Sequence, residues 1–154
     1  MRMEPIALLA MMGLFPDCVT AMRSGISNSF ASLSVLCIGE TLFDGLPSGV
    51  FLGGAPLNVA CHLSLLSVHT SYASAVGNDR LGLEAIRRLN GKGVDTQLIR
   101  SVDGMETGFV TAHIDEAGDA TYEFVTPAAW DAIDSDGIAS AAATADAVVF
   151  GKLA

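Results

Sequence analysis

Positive charge is scarce in this sequence. Its 154 residues carry 8 Lys and Arg against 17 Asp and Glu, a formal net charge of −9. The imbalance is local: residues 1–33 hold two basic and two acidic groups, 34–100 five of each, and 101–154 ten acids against Lys152. Such a surface repels phosphate backbones, and no basic stripe with interleaved aromatics occurs, which excludes a nucleic-acid partner. Cysteine is sparse as well. Cys18, Cys37 and Cys61 are odd in number and lack CxxC spacing, which argues against a disulfide framework and for a reducing compartment. Together with His62, His69 and His113 they form no pair with metal-ligand spacing, so no metal site is expected from them. The apolar run Ile6–Phe15 is too short for a bilayer, which takes about 20 apolar residues, and no other segment is a candidate, so no membrane partner is expected. No GxGxxG follows the first apolar strand-like run, which removes a dinucleotide-binding reading.

What is abundant is core-forming material. Apolar residues make up 51% of the chain and charged ones 16%, the balance of a globular protein, and the length suits one domain or part of one. Residues 1–33 stand apart, with five methionines, scattered serines and no period in their apolar positions, and read as a leader or a disordered extension. Glu4 and Pro5 spoil a secretory n-region. The serines and Arg23 suit a transit peptide while Asp17 opposes one, so the expected compartment is the cytoplasm, or an organelle (plastid or mitochondrion) if the leader is a transit peptide.

From Ser34 the pattern is orderly. Leu33–Gly39 reads as a buried strand, Glu40–Asp44 and Val50–Leu52 as extended segments around the turn Pro47-Ser48-Gly49, and Leu57–Leu66 as a helix with apolar residues at 59, 60, 63 and 66. Ser71–Gly77 predicts a second core strand, and Asp79 an N-cap for a helix over Leu81–Lys92 that Gly93 stops. A short strand over Gln97–Ser101, a hairpin of Thr107–Ile114 with Thr121–Val125 around Asp115–Asp119, a helix over Asp136–Ala143 and a strand over Ala147–Gly151 complete the chain. The βαβα order predicts an α/β sheet with parallel strands.

The candidate site lies where strand gives way to helix, at Gly53-Gly54-Ala55-Pro56-Leu57-Asn58-Val59-Ala60. Two glycines admit close backbone approach to a ligand, Pro56 suits a first helical turn, and the Asn58 amide both donates and accepts. With Ser67 and Gly77 following at the right intervals, this arrangement resembles the first signature of the PfkB/ribokinase family of carbohydrate kinases. The likeness covers residues 34–154. Gly39-Glu40-Thr41-Leu42-Phe43-Asp44 resembles the "GExLxD" opening of fructokinase-like members, Val76–Gly82 their "VGxDxxG" segment, Gly93-Val94-Asp95 their "GVD" turn, and Thr126–Asp131 the return from lid to main domain.

The resemblance implies a ribokinase-like three-layer α/β sandwich with a mostly parallel sheet and a small β lid built from about residues 40–53 and 107–126, truncated before the ATP-binding half. It implies a sugar such as fructose as ligand, with Asp44, Gly53, Gly54 and Asn58 as contacts. Phe109 and Trp130 are further candidates, each able instead to pack the lid or the hinge core, as Asp44 could instead simply start a turn. ATP with Mg2+ is implied as co-substrate and lid-mediated homodimerisation as an assembly. The family's catalytic aspartate sits in a late "GAGD" segment, and the Gly118-Asp119 of the hairpin turn lacks its context. Residues 1–154 are therefore expected to be the sugar-binding N-terminal portion of a fructokinase-like kinase, inactive alone. A non-catalytic sugar-binding or regulatory relative, or a structural module with the lid as an interface, are the alternatives. A sheet ending at Val148-Val149-Phe150 would expose an apolar edge, so residues 1–154 should be poorly soluble in isolation; a sharp, reversible thermal transition of a monomer would count against this.

Overall fold

The computed structural model describes residues 32–114 and 120–151. The leader up to residue 31 and the hairpin turn Asp115–Asp119 lie outside them. The elements run β1 (Ser34–Ile38), β2 (Leu42–Leu46), β3 (Gly49–Gly53), α1 (Ala55–Leu65), β4 (His69–Gly77), α2 (Arg80–Gly91), β5 (Ile99–Val102), β6 (Gly108–Ile114), β7 (Ala120–Phe124), a 3-10 turn (Ala129–Ala132), α3 (Ile138–Thr144) and β8 (Ala147–Phe150).

Two sheets result. The first is wholly parallel in the order β5-β4-β1-β8, with Ser34 opposite His69 and Val35 opposite Ala147. Its central strands β1 and β4 are the most buried, with Leu36, Cys37, Tyr72, Ala73, Ala75 and Val76 all inaccessible or nearly so. The second is mixed, in the order β3-β2-β6-β7, with β2 antiparallel to β3 and parallel to β6. The chain moves from one sheet to the other between β1 and β2, across Gly39-Glu40-Thr41, which is why Glu40 and Thr41 are not part of a continuous strand. β8 is an edge strand, with Phe150 80% exposed.

The core is the cluster of Cys37, Leu57, Ala60, Cys61, Tyr72, Leu89 and Val94, where α1 and α2 cover the parallel sheet. The two cysteines are free and buried, and burial pushes the Cys37 thiol up to about 11, so both act as small apolar groups. α1 differs from its predicted phase. It buries Pro56, Leu57, Ala60 and Cys61 and leaves Val59 exposed, because apolar residues circle most of the helix and the pattern does not select a face. β5 starts two residues later than predicted, since the Asp95 carboxylate accepts from the Gln97 N–H at 3.0 Å and folds that segment into a turn. The 3-10 turn at Ala129–Ala132 was not foreseen, and α3 begins only after Gly137, whose φ of 75° ends the preceding loop.

Tyr72 is fully buried and donates its hydroxyl to the carbonyls of Gly39 at 3.0 Å and Glu40 at 2.8 Å. Beside it, Thr41 and Ser74 share a hydroxyl hydrogen bond of 2.8 Å. The crossing between sheets is thus tied to β4 by buried polar groups that are all paired. Tyr72→Phe should cost about 1–3 kcal/mol in denaturant unfolding, the penalty for leaving these carbonyls without their donor; an unchanged stability would show that water replaces the hydroxyl.

Candidate functional site

The β2–β3 hairpin and the first turn of α1 build the site. Asp44 stands on β2 opposite Phe51, so its carboxylate lies diagonally across from Gly53 on the same face. A Cβ at Gly53 would occupy the place of Asp44 Oδ2, which explains the glycine. Gly54 has φ 125°, a conformation other residues rarely adopt, and a Cβ there would collide with the Glu40 carbonyl. The glycine pair therefore lets α1 start directly against the crossing between the sheets. Pro56 packs on Gly39 and Gly151, at the carboxyl ends of β1 and β8.

Asp44 is 8% exposed, and among the described residues no hydrogen bond reaches its carboxylate. Burial alone pushes its pKa up to about 6. Asn58 sits one turn into α1, half-buried; its N–H closes that turn on the Gly54 carbonyl at 2.9 Å. Phe109, half-buried on β6, packs against Gly45, so its described role is within the mixed sheet.

A cleft of about 320 Å³ opens at the carboxyl ends of β1 and β8. Its wall comprises Ile38, Gly39, Glu40, Trp130, Asp131, Ile133, Phe150 and Gly151. Crevices at strand carboxyl ends are the usual ligand position of open α/β sheets. Of the predicted candidates only Trp130 lines it; Asp44, Gly53, Gly54, Asn58 and Phe109 do not, and Gly54 adjoins it by packing on the carbonyl of Glu40, a lining residue. Glu40 and Asp131 escaped the sequence reading. Glu40 is 5% exposed, and among the described residues its carboxylate has no partner. The signal that could have found it is an acidic residue following a strand-ending glycine at the switch between sheets.

Trp130 is held by its neighbours. Its ring lies on Gly108, where any side chain would displace it, and the Ala129 N–H donates to the Glu106 carbonyl at 2.8 Å. Arg100 of β5 pairs with Asp134 just beyond the 3-10 turn. The site thus offers two carboxylates, an indole face and apolar walls, with no cation among the described lining residues. Such a surface accepts hydrogen bonds from hydroxyls and packs an apolar ring face; it repels phosphate. Among the described residues there is no cluster of His, Cys, Asp and Glu able to hold a metal, and no helix long and apolar enough to cross a membrane.

Comparison with known proteins extends this picture. The model of the pfkB family carbohydrate kinases matches residues 49–154, which include Gly53, Gly54, Asn58 and the Trp130 wall. The 2-dehydro-3-deoxygluconokinase of Bacillus subtilis (strain 168) is 41% identical over 69 residues, 44% of this chain and 21% of that protein. An uncharacterized sugar kinase of Pyrococcus horikoshii, solved in complex with ATP, aligns with a TM-score of 0.66 and 30% identity over 77% of this chain and 43% of that one. Fructokinase from Vibrio cholerae O395 aligns in its apo form with a TM-score of 0.59 and 31% identity, over 64% of this chain and 36% of that one. The same fructokinase has also been solved with fructose, ADP and calcium ion. The chain spans less than half the length of each of these relatives. Its parallel sheet and mixed sheet are those of the ribokinase-like α/β fold, and with more than half of its residues matched, the chain belongs to the pfkB family of carbohydrate kinases.

Proposed function

We propose that this chain is the sugar-binding portion of a fructokinase-like carbohydrate kinase, which transfers the γ-phosphoryl group of ATP to a sugar hydroxyl. The observation that carries this reading is the Asp44 carboxylate, buried, unpartnered among the described residues and set against Gly53 beside the start of α1. A largely buried carboxylate that accepts no hydrogen bond from the described residues has lone pairs free for a ligand's donors. Sugar hydroxyls are such donors. Asp44, Gly53, Gly54 and Asn58 would hold the sugar, with Trp130 closing the cleft from the opposite side; Phe109 would support the lid rather than touch ligand.

The acidic wall does not fit a polyphosphate, so no part in ATP or Mg2+ binding is assigned to it. No segment of the sequence supplies the family's catalytic aspartate, and residues 1–154 alone are proposed to bind sugar without turning it over. Bound sugar would be positioned and desolvated here, and these are the contributions this portion makes to phosphoryl transfer. The exposed residues Val50, Phe51 and Phe124 of the mixed sheet are compatible with a homodimer through the lid.

Trp130 is the sole tryptophan, so its fluorescence reports on the cleft. Titration with fructose should give a saturable change, and an ATP-turnover assay of the same sample no activity; the absence of any response to fructose or other sugars would sink the reading.

Asp44 supplies a second test through pH. Its folded pKa of about 6 lies above the ordinary carboxylate value, so the native state holds the proton more tightly than the unfolded chain. The stability tied to this proton is present at low pH and is lost as pH rises toward 6. Asp44→Asn should match the native chain near pH 4, exceed its stability by about 1–3 kcal/mol at pH 7, and lose the response to fructose. A variant that is less stable at pH 7 would make Asp44 a structural group.

A further inference from the structure

Asp79 does more than cap a helix. Its Oδ1 accepts from the Gly82 N–H at 2.7 Å, closing the first turn of α2, and also from the Thr107 hydroxyl at 2.7 Å. Its Oδ2 accepts from the Thr107 N–H at 2.8 Å. The Thr107 hydroxyl oxygen in turn accepts from the Gly77 N–H at 2.9 Å, so the end of β4, the start of α2 and the entry to β6 share one set of hydrogen bonds. Thr107 is 2% exposed. There is no room for a side chain at Gly77 or Gly82: a Cβ at either would run into Asp79, Thr107 or the backbone beside them. Burial raises the Asp79 pKa, but the hydrogen bonds from Thr107 and Gly82 outweigh it and hold the carboxyl below its ordinary range, so the group is charged and its bonds are charge-assisted.

The next residues are what make this junction matter for the cleft. Gly108 follows Thr107 directly, opens β6 opposite Leu42 of β2 and carries the Trp130 ring on its Cα. Glu106, on the other side of Thr107, accepts from the Ala129 N–H at 2.8 Å. Three consecutive residues therefore touch the parallel sheet through Asp79, the mixed sheet through β2, and the Trp130 wall of the cleft. Only the middle one is fastened by charge-assisted bonds.

We propose that the Asp79–Thr107 pair is a positioning latch that fixes the entry to β6 against the parallel sheet and thereby sets the Trp130 wall of the sugar cleft. The latch is a matter of packing within this chain; its consequence for sugar affinity rests on the sugar-kinase reading above. Neither residue touches ligand. With the latch released, α2 and the sheets persist, but Glu106, Thr107 and Gly108 gain freedom and the indole leaves its seat.

Asparagine separates the two roles of Asp79. Its Oδ1 can still accept from Gly82 and is a good N-cap, whereas its amide N–H would face the Thr107 N–H, donor against donor. Residues 1–154 carrying Asp79→Asn, Thr107→Val or Thr107→Ser are compared with the native chain by acrylamide quenching of Trp130 under native conditions and by fructose titration. Asp79→Asn and Thr107→Val should raise the quenching constant about twofold with unchanged far-UV circular dichroism, a local rather than global opening. Their half-saturating fructose concentration should rise about tenfold, equivalent to about 1.4 kcal/mol. Thr107→Ser keeps the hydroxyl and should behave as the native chain. A folded Asp79→Asn whose Trp130 is no more accessible than in the native chain overturns the latch; if that variant does not fold, Thr107→Val decides by the same criterion. Increased quenching in the variants, in a chain whose native form ignores fructose, would uphold the latch and overturn the sugar site.

Discussion

The carbonyl groups of Gly39 and Glu40, where the chain leaves the parallel sheet for the mixed one, are the point on which the rest of the site hangs. Tyr72 reaches up from β4 and donates to both, so the crossing is fixed from beneath by a buried hydroxyl. Gly54 closes on the Glu40 carbonyl from the other side, and Pro56 packs on Gly39. A backbone bend at the end of a sheet has polar groups that must be satisfied; here Tyr72 satisfies them while Gly54 and Pro56 pack against the same bend. Fold stability and site geometry share these contacts.

Charge decides what the region can hold. Glu40 and Asp131 line the cleft, Asp44 lies buried at the adjacent hairpin, and no cation faces them among the described lining residues. Asp131 is exposed and accepts the Ala128 N–H at 3.3 Å, whereas Glu40 and Asp44 are buried residues whose carboxylates accept no hydrogen bond from the described residues. A ligand rich in hydroxyls supplies donors to these two, while an anionic one is repelled.

Several elements were legible because a local rule dictates them. Asp79 announces a cap and Gly93 a stop, and each is so in the structure, while the glycine pair is explained within the chain by the close packing of Gly53 on Asp44 and of Gly54 on the Glu40 carbonyl. The hairpin strands and the buried strands β1 and β4 follow from short runs bounded by turn residues, whereas β8, apolar enough to read as a buried strand, forms an exposed sheet edge. The face of α1 was not legible, because a helix with apolar residues on nearly every side has no preferred phase until the sheet supplies one. The same holds for the 3-10 turn, whose Ala128 and Ala129 are fully buried by contacts distant in sequence.

By itself the sequence determined the order of strands and helices, the glycine-rich start of α1 and the likeness to sugar kinases, since each rests on residues within a few positions of one another. Tertiary structure alone decided that Glu40 and Asp131 line one cleft, that Trp130 rather than Phe109 joins them, and that Asp79 binds Thr107 across 28 positions. Those outcomes depend on sheet register and on where the 3-10 turn docks. Register is a sum over many weak contacts between distant residues, and no single residue type announces it.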